Sequence, residues 1–154
     1  MRLSSINALL AVLPTLVLAA PTSQHGSPKN FYLVTCTEGP GKNENYDAVA
    51  YYTEPPDSLS EDPEEILQIS RPRGTWEGVE RKAEFDEYGT FISKIDKNAA
   101  TLGTGEIAGL GKFEDEDLVC FKASGVLTSE EPDTCNVLYW CPSIDVGEDW
   151  DESE

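Results

Sequence analysis

Basic side chains are scarce in this sequence, and their scarcity excludes one large class of function. The 154 residues include 29 Asp and Glu but only 11 Lys and Arg, which gives a formal net charge of −18 at pH 7. Proteins bind nucleic acids chiefly through clustered Lys and Arg that contact phosphates. The composition therefore predicts that this protein does not bind nucleic acid. Its 39% hydrophobic and 9% aromatic residues indicate one folded domain rather than a disordered acidic chain.

Histidine is almost absent. The only one, His25, lies in a segment, 20–30, that has too little apolar surface to pack into a core. Nucleophilic catalysis of the Ser-His-Asp or Cys-His type needs an imidazole that the fold holds in place. The sequence therefore argues against triad hydrolases, cysteine proteases and histidine-dependent ribonucleases, and we predict neither a catalytic residue nor a cofactor.

Long apolar runs are confined to the first twenty residues. Arg2 is followed by an apolar stretch from Ile6 to Leu18, and Val17-Leu18-Ala19 matches the small-residue pattern of a secretory cleavage site. We therefore predict a signal peptide over 1–19 and a secreted, extracellular protein. No later segment approaches the roughly 20 apolar residues that span a bilayer, so we expect no membrane insertion.

The predicted mature chain divides into three parts. We expect a flexible leader over 20–30, a single β domain over 31–145 and an acidic C-terminal tail over 146–154. Removal of Arg2 with the signal peptide changes the net charge from −18 to −19. The exported protein is therefore predicted to be even more acidic than its precursor.

The cysteines are even in number and lie in the predicted exported part: Cys36, Cys120, Cys135 and Cys141. An oxidising compartment favours two disulfides, for which three pairings are possible. If 135–141 is one extended strand, its ends are roughly 20 Å apart at about 3.3 Å per residue. A disulfide needs Cα atoms within about 7 Å, so Cys36 and Cys120 are each expected to bond one of the two late cysteines. A zinc site is disfavoured because the late pair has no Cys-x-x-Cys spacing and no histidine nearby.

Most of the chain reads as short strands separated by turn residues. The strand patterns are 31–36, 46–53, 79–85, 90–95, 101–111, 118–124 and 135–141, of which the first two and the next two predict hairpins. Segment 54–65 has three prolines and six acids, and its Ser58-x-x-Glu61 predicts either one or two helical turns reaching Leu67 or an exposed loop. We predict an all-β fold, a small antiparallel β-sandwich or β-barrel.

The last strand has apolar residues on both faces. A regular strand would place Val137 and Tyr139 on one face and Leu138 and Trp140 on the other. This pattern is typical of a central strand that is covered on both sides.

Carboxylates are too numerous to identify a hydrolase by themselves. The candidates that flank aromatic residues are Glu77, beside Trp76, and Glu84 and Asp86, on either side of Phe85. The alternative interpretation is that these acids are solvent-facing strand positions next to core residues. The acidic runs 114–117 and 148–154 are contiguous rather than spaced like a calcium-binding loop, so we predict no metal site.

Two aromatic features suggest ligand binding. Gly74-Thr75-Trp76 has the Gly-x-Trp form found in lipocalins, but it lies more than fifty residues into the mature chain, so a core Trp76 is the better interpretation. A β-barrel that holds a ligand remains an alternative on fold grounds. Tyr51-Tyr52 and the three tryptophans suggest a sugar-stacking platform, although Trp140 is expected in the core and Trp150 in the tail.

The sequence resembles the small secreted cysteine-containing proteins of filamentous fungi, a group that includes effector candidates. The segments that carry the resemblance span residues 31–144 and are Tyr32-Leu33-Val34-Thr35-Cys36, Tyr46-Asp47-Ala48-Val49-Ala50-Tyr51-Tyr52, Thr75-Trp76-Glu77-Gly78, Val119-Cys120-Phe121 and Tyr139-Trp140-Cys141-Pro142. The resemblance implies secretion and a compact disulfide-bonded fold. It supplies no catalytic residues.

We therefore expect a secreted, acidic, disulfide-stabilised binding protein, such as a host-interacting effector or an extracellular ligand binder. Its partner would be an extracellular protein or a carbohydrate. Two alternatives to a binding function remain open. One is a small carboxylate-dependent hydrolase of wall polysaccharide, which would need an open cleft with two carboxylates. The other is a structural protein of the cell wall or cell surface.

Overall fold

The computed structural model describes residues 26–39, 44–128 and 133–143. The predicted signal peptide, His25 and the acidic tail lie outside the described residues. The elements in chain order are β1 (Asn30–Thr37), β2 (Asn45–Tyr52), β3 (Glu65–Ser70), β4 (Glu80–Phe85), β5 (Gly89–Ile95), a 3-10 turn (Ala99–Thr101), β6 (Ile107–Phe113), β7 (Glu116–Thr128) and β8 (Thr134–Pro142). The all-β prediction is confirmed.

The eight strands form one antiparallel sheet that curls into a nearly closed barrel. Their order in the sheet is β3-β2-β1-β8-β7-β6-β5-β4. Both predicted hairpins are present, since β1 pairs with β2 and β4 pairs with β5. The last strand, β8, lies between β1 and β7, as the apolar character of both its faces predicts. The structure thus selects a barrel from the two architectures left open by the sequence.

The barrel interior is a core to which all eight strands contribute. On β1 and β2, every second residue points inward because side chains alternate along a strand. Five rings occupy its centre, where the ring of Phe31 contacts those of the other four: Tyr51, Phe85, Phe91 and Phe113. The segment between β3 and β4 adds Trp76, which is 2% exposed, so the prediction of a core tryptophan is confirmed.

A second apolar cluster lies on the outer face of the barrel, over β2, β1, β8 and the end of β7. Its buried members are Val34, Cys36, Tyr46, Ala48, Ala50, Tyr52, Leu127, Cys135 and Val137. The segment 53–64 covers it, with Leu59 packed against the cluster. Three hydrogen bonds hold the segment in place: Tyr52 Oη donates to the Glu61 carbonyl (2.9 Å), the Glu64 N–H donates to the Tyr51 carbonyl (2.9 Å), and the Thr128 N–H donates to the Leu59 carbonyl (3.3 Å).

The helical prediction for this segment is wrong, and the loop alternative holds. Residues 57–61 form bends and turns, and the chain enters strand β3 at Glu65 rather than continuing a helix to Leu67. The reason is tertiary. Leu59 and Ile66 pack against the outer cluster, and β3 pairs with β2, so an extended chain gains contacts that a short proline-rich helix would lose.

A bulge in β8 makes its side chains point in directions that differ from the prediction. Along β1, Leu33 pairs with Tyr139 but Val34 pairs with Val137, so Leu138 is the extra residue. Val137 consequently belongs to the outer cluster and Tyr139 to the interior core. The expectation that both point the same way assumed a regular strand and is wrong.

The same bulge separates the two disulfides. Cys36 bonds Cys135 in the outer cluster, and Cys120 bonds Cys141 in the interior. The prediction of two bridges that each join one early and one late cysteine is confirmed. Each bridge fastens β8 to one of its two neighbouring strands. All four cysteines are buried, so both bridges lie within an apolar core.

Candidate binding surfaces

The barrel interior is filled by the protein's own side chains. Phe31 stacks on Phe91 with ring centroids 4.3 Å apart, and on Tyr51 at 5.1 Å. A lipocalin-like ligand would need the space that these rings occupy. A binding site is therefore expected on the outside of the barrel.

Glu77 is the one predicted carboxylate that has a specific environment. The segment that carries Trp76 places Glu77 in an isolated parallel bridge with Ile95 at the barrel end. Tyr139 Oη donates to one carboxylate oxygen of Glu77, and Thr75 Oγ1 donates to the other at 2.7 Å. Partial burial opposes ionisation, but the bonds from Tyr139 and Thr75 prevail and lower the pKa of Glu77. Glu77 is thus an ionised acceptor, which suits structural anchoring better than general-acid catalysis.

The lowered pKa of Glu77 makes a pH-dependent contribution to stability. Its stabilising effect is complete above the ordinary carboxyl pKa of about 4.5 and is lost as pH falls through the lowered folded-state value. At pH 7 we expect Glu77→Gln to reduce the free energy of unfolding by about 1 to 2 kcal/mol, the typical range for hydrogen bonds to a charged acceptor. Urea unfolding of both proteins at pH 7 and pH 3 measures this, and the difference between them should shrink at pH 3. A difference that grows on acidification would contradict the role given to Glu77.

The other predicted carboxylates lie elsewhere. Glu84 is exposed on β4, where it forms an ion pair with Lys82, and Asp86 is exposed in the turn that follows. These two match the solvent-facing interpretation. In the described part of the chain, no group of three or more metal-ligating side chains is close enough to hold an ion.

Part of the acidic run 114–117 serves the fold. Glu114, in the turn between β6 and β7, accepts a hydrogen bond from the Thr90 N–H at the start of β5. Glu116 accepts bonds from the N–H and hydroxyl of Ser27, both at 2.6 Å, which ties the start of the described chain to β7. Burial opposes its ionisation, but the nearby serine side chains, the Ser27 N–H and the charge of Lys29 lower the pKa of Glu116.

A row of aromatic side chains crosses the outer face of the barrel. Trp140 on β8 pairs with Tyr32 on β1 and with Phe121 on β7. The ring centroid of Trp140 is 6.4 Å from that of Tyr32 and 5.8 Å from that of Phe121. These three rings are only partly buried, and Tyr52 meets the edge of Tyr32 at the covered end of the row. Trp140, predicted to be a core residue, therefore lies on the outer face.

The row continues into an exposed apolar patch. Ile107 on β6 pairs with Phe121 and is 64% exposed, while Leu110 pairs with Val119 and is 62% exposed. We use "apolar patch" for the five outward residues Ile107, Leu110, Val119, Phe121 and Trp140. Large apolar side chains grouped in this way on a protein surface mark interaction sites more often than isolated ones do.

Charged residues of both signs border the apolar patch. Lys94 on β5 pairs with Leu110, and Glu80 on β4 pairs with Lys94. Lys112 on β6 pairs with Asp117 on β7. None of these four forms an ion pair with another described residue. The arrangement has the anatomy of a protein interface, which has an apolar centre and a polar rim.

Sequence reasoning missed this patch, although one signal was present. Leu118 and Cys120 alternate with Val119 and Phe121, so β7 is apolar on both faces. The core inside the barrel accounts for only one of these two apolar faces of β7. The second face of β7, and that of β8, could have been identified as a surface that packs against something else. Tyr51 and Tyr52, by contrast, do not form a joint platform because they point to opposite sides of β2.

Comparisons with known proteins found no match: no family model fits the sequence, and no curated protein or solved structure matches it. Among the described residues, no helix is long and apolar enough to span a membrane.

Proposed function

We propose that this chain is a secreted, acidic, non-catalytic binding protein that contacts an extracellular protein partner through the apolar patch. The observation that carries the proposal is the distribution of apolar side chains. The interior is filled by the protein's own rings, yet Ile107 and Leu110 remain more than 60% exposed beside a row of aromatic residues. A rigid barrel with a filled core and an apolar outer face is suited to binding a macromolecule rather than enclosing a small ligand.

Two features support an extracellular site of action. The sequence begins with a pattern typical of secretory signals. The folded domain has two buried disulfides and no free cysteine among the described residues, as is typical of proteins from oxidising compartments. Together with the resemblance to small secreted fungal proteins, these features are compatible with a host-interacting effector.

The polar atoms beside the aromatic row favour a protein partner over a carbohydrate. Trp140 Nε1 already donates to Asn30 Oδ1 at 2.7 Å, and Asn30 Nδ2 donates to the Pro28 carbonyl at 2.6 Å. Sugar recognition combines ring stacking with free hydrogen-bonding groups beside the rings, whereas the Trp140 N–H and the Asn30 side-chain oxygen are already bonded to each other. The aliphatic side chains of Ile107 and Leu110 provide contacts that suit apolar residues of a protein.

The test uses an array of random peptides and three forms of the full mature protein. Leu110→Asp places a charge in the apolar patch, and Val126→Asp is the matched control because Val126 is 47% exposed at the distant end of β7. We expect wild type and Val126→Asp to select the same peptides, enriched in apolar residues. Leu110→Asp should bind them at least about tenfold more weakly, since about 1.4 kcal/mol of lost contact corresponds to that factor.

Three outcomes would contradict the proposal. Peptide binding that is equally strong in Leu110→Asp would show that the apolar patch is not the contact surface. Equal loss in both variants would reveal a general effect of added negative charge. Sedimentation with insoluble chitin, cellulose or β-glucan that Leu110→Asp alone abolishes, without peptide selection, would assign the apolar patch to carbohydrate instead.

A further inference from the structure

The arginines of this chain are concentrated at one place. Apart from Arg2, the sequence has only three, Arg71, Arg73 and Arg81. The first two lie in the turn 71–75 after β3, and Arg81 packs against that turn, donating from Nε and Nη2 to the Thr75 carbonyl at 3.0 and 2.7 Å. In a chain with a net charge of −18, this turn is a local concentration of positive charge.

A buried carboxylate on the neighbouring strand β2 holds the turn in place. Asp47 on β2 is 1% exposed and accepts hydrogen bonds from Gly74 N–H (2.7 Å), Ser70 Oγ (3.0 Å) and Thr35 Oγ1 (2.9 Å). The Arg73 N–H also donates to the Asn45 carbonyl at 2.9 Å. These bonds hold the backbone of the turn in one conformation, so its side chains project from a prepared position.

An open cavity of about 520 Å³ lies beside the turn, within the usual size range of small-molecule sites. The described residues that line it are Glu44, Asn45, Arg71, Pro72 and Arg73. This cavity is remote from the apolar patch, since it is built on β2 and the turn after β3 rather than on β6–β8.

The two arginines of the cavity differ in their partners. The Arg71 guanidinium is paired with Glu38, lies 3.5 Å from Glu44 Oε2, and stacks over the ring of Tyr46 at 4.9 Å from its centroid. Its charge is therefore compensated. Arg73 forms no ion pair with any residue in the part of the chain that the structure describes. Among the described residues that line the cavity, Arg73 is thus the cation available to a ligand.

Two further groups complete the donor and acceptor set. Asn45 Oδ1 accepts from Thr37 Oγ1 at 2.9 Å, which orients the amide and leaves its N–H groups free of any described acceptor. Glu44 is 69% exposed and can accept hydrogen bonds from ligand hydroxyl groups. A planar carboxylate fits the planar fork of a guanidinium together with an amide donor. A doubly charged phosphate is disfavoured because the carboxylate of Glu44 lines the cavity and only one of its two arginines is uncompensated.

We infer that the cavity beside the turn 71–75 binds a small hydroxylated monocarboxylate of the sugar-acid type. Arg73 and Asn45 hold the carboxylate, and Glu44 accepts hydrogen bonds from the ligand's hydroxyl groups. The site is distinct from the proposed protein-binding surface and does not depend on it.

The test is calorimetric titration of the full mature protein with D-galacturonate, its uncharged methyl ester and inorganic phosphate. NMR of the Arg73 Nε–H and Asn45 side-chain amide signals reports the location. We expect saturable binding of galacturonate that shifts both signals, and binding of the ester and of phosphate at least about tenfold weaker, which corresponds to about 1.4 kcal/mol. Leu110→Asp should bind galacturonate like wild type.

Two variants test the assignment to residues. Arg73→Ala removes the cation, and Asn45→Asp keeps an acceptor for Thr37 while replacing the amide donors with a negative oxygen. Both should lose galacturonate binding. Lys97→Ala, which removes one exposed cation outside the cavity, should retain it. Circular dichroism verifies that each variant is folded.

Each contrary result overturns the inference. Absence of saturable galacturonate binding to the wild type would refute the site. Equal weakening in Arg73→Ala and Lys97→Ala would show a general charge effect without a site. Ester binding as tight as galacturonate binding would remove the role of the carboxylate, and tighter phosphate binding would assign the cavity to a different class of anion.

Discussion

Replacing both Cys36 and Cys135 with alanine should lower the free energy of unfolding by more than 4 kcal/mol. The bridge joins residues with a sequence separation of 99, and loops of about 100 residues are stabilised by about 4.7 kcal/mol in the chain-entropy model. Such a loss is comparable with the whole stability of many small domains. Urea unfolding at pH 7, followed by tryptophan fluorescence, measures it.

The second disulfide is the matched control. Cys120 and Cys141 are as deeply buried as the first pair, so Cys120→Ala with Cys141→Ala removes the same atoms from an equally apolar setting. Their sequence separation is only 21, for which the same model gives about 3 kcal/mol. The order of the two losses therefore tests loop length. If the Cys120 and Cys141 variant is the less stable of the two, local packing in the barrel interior rather than loop closure governs disulfide stabilisation here.

Phe31→Ala should reduce stability by about 3 to 5 kcal/mol, the range for truncating a buried aromatic residue. Phe31 is fully buried, and its ring contacts those of Phe91 and Phe113 at centroid distances of 4.3 and 4.9 Å. Because these partners come from β5 and β6, on the opposite side of the barrel from β1, the rigid sheet cannot collapse into the cavity left behind. Thermal and urea unfolding of the variant provide the measurement.

Leu110→Ala serves as the comparison for this substitution. It also truncates a large apolar side chain, but Leu110 is 62% exposed, so the change in stability should stay within about 0.5 kcal/mol. A loss above about 2 kcal/mol at Leu110 would show that the side chain is packed in the free protein, which would remove the main support for the apolar patch. A loss below about 1 kcal/mol at Phe31 would contradict the description of the interior as a tightly packed aromatic core.

Much of the fold could be predicted because its signals are local. The continuous run of strand-forming residues in 31–36 and the alternation of apolar residues in 79–85, with turn residues between the strands, can both be recognised from neighbouring positions alone. The conclusion that Cys135 and Cys141 do not bond each other needed only the length of an extended chain and the largest Cα separation that a disulfide allows. Segment 54–65 shows the limit of such signals, since its capping pattern was overridden by the packing of Leu59 on the outer cluster.

The candidate sites were less predictable because they depend on contacts between distant residues. The apolar patch unites Ile107, Phe121 and Trp140, whose adjacency follows from strand register. The cavity at Arg73 depends on the buried Asp47 that anchors its turn, and nothing in the neighbouring sequence indicates that this acid is buried. Composition identified the acidic surface but could not show where the few arginines meet.

The sequence by itself determined the strand content, the presence of two disulfides and the restriction on their pairing, because these depend on side-chain alternation, cysteine number and chain length. Only the tertiary structure decided that the sheet curls into a barrel and that the two bridges lie on opposite faces of it. The two bridges lie on opposite faces because of the bulge at Leu138: one extra residue reverses the facing of every side chain beyond it, and such an insertion is defined by the partner strand rather than by the strand's own sequence.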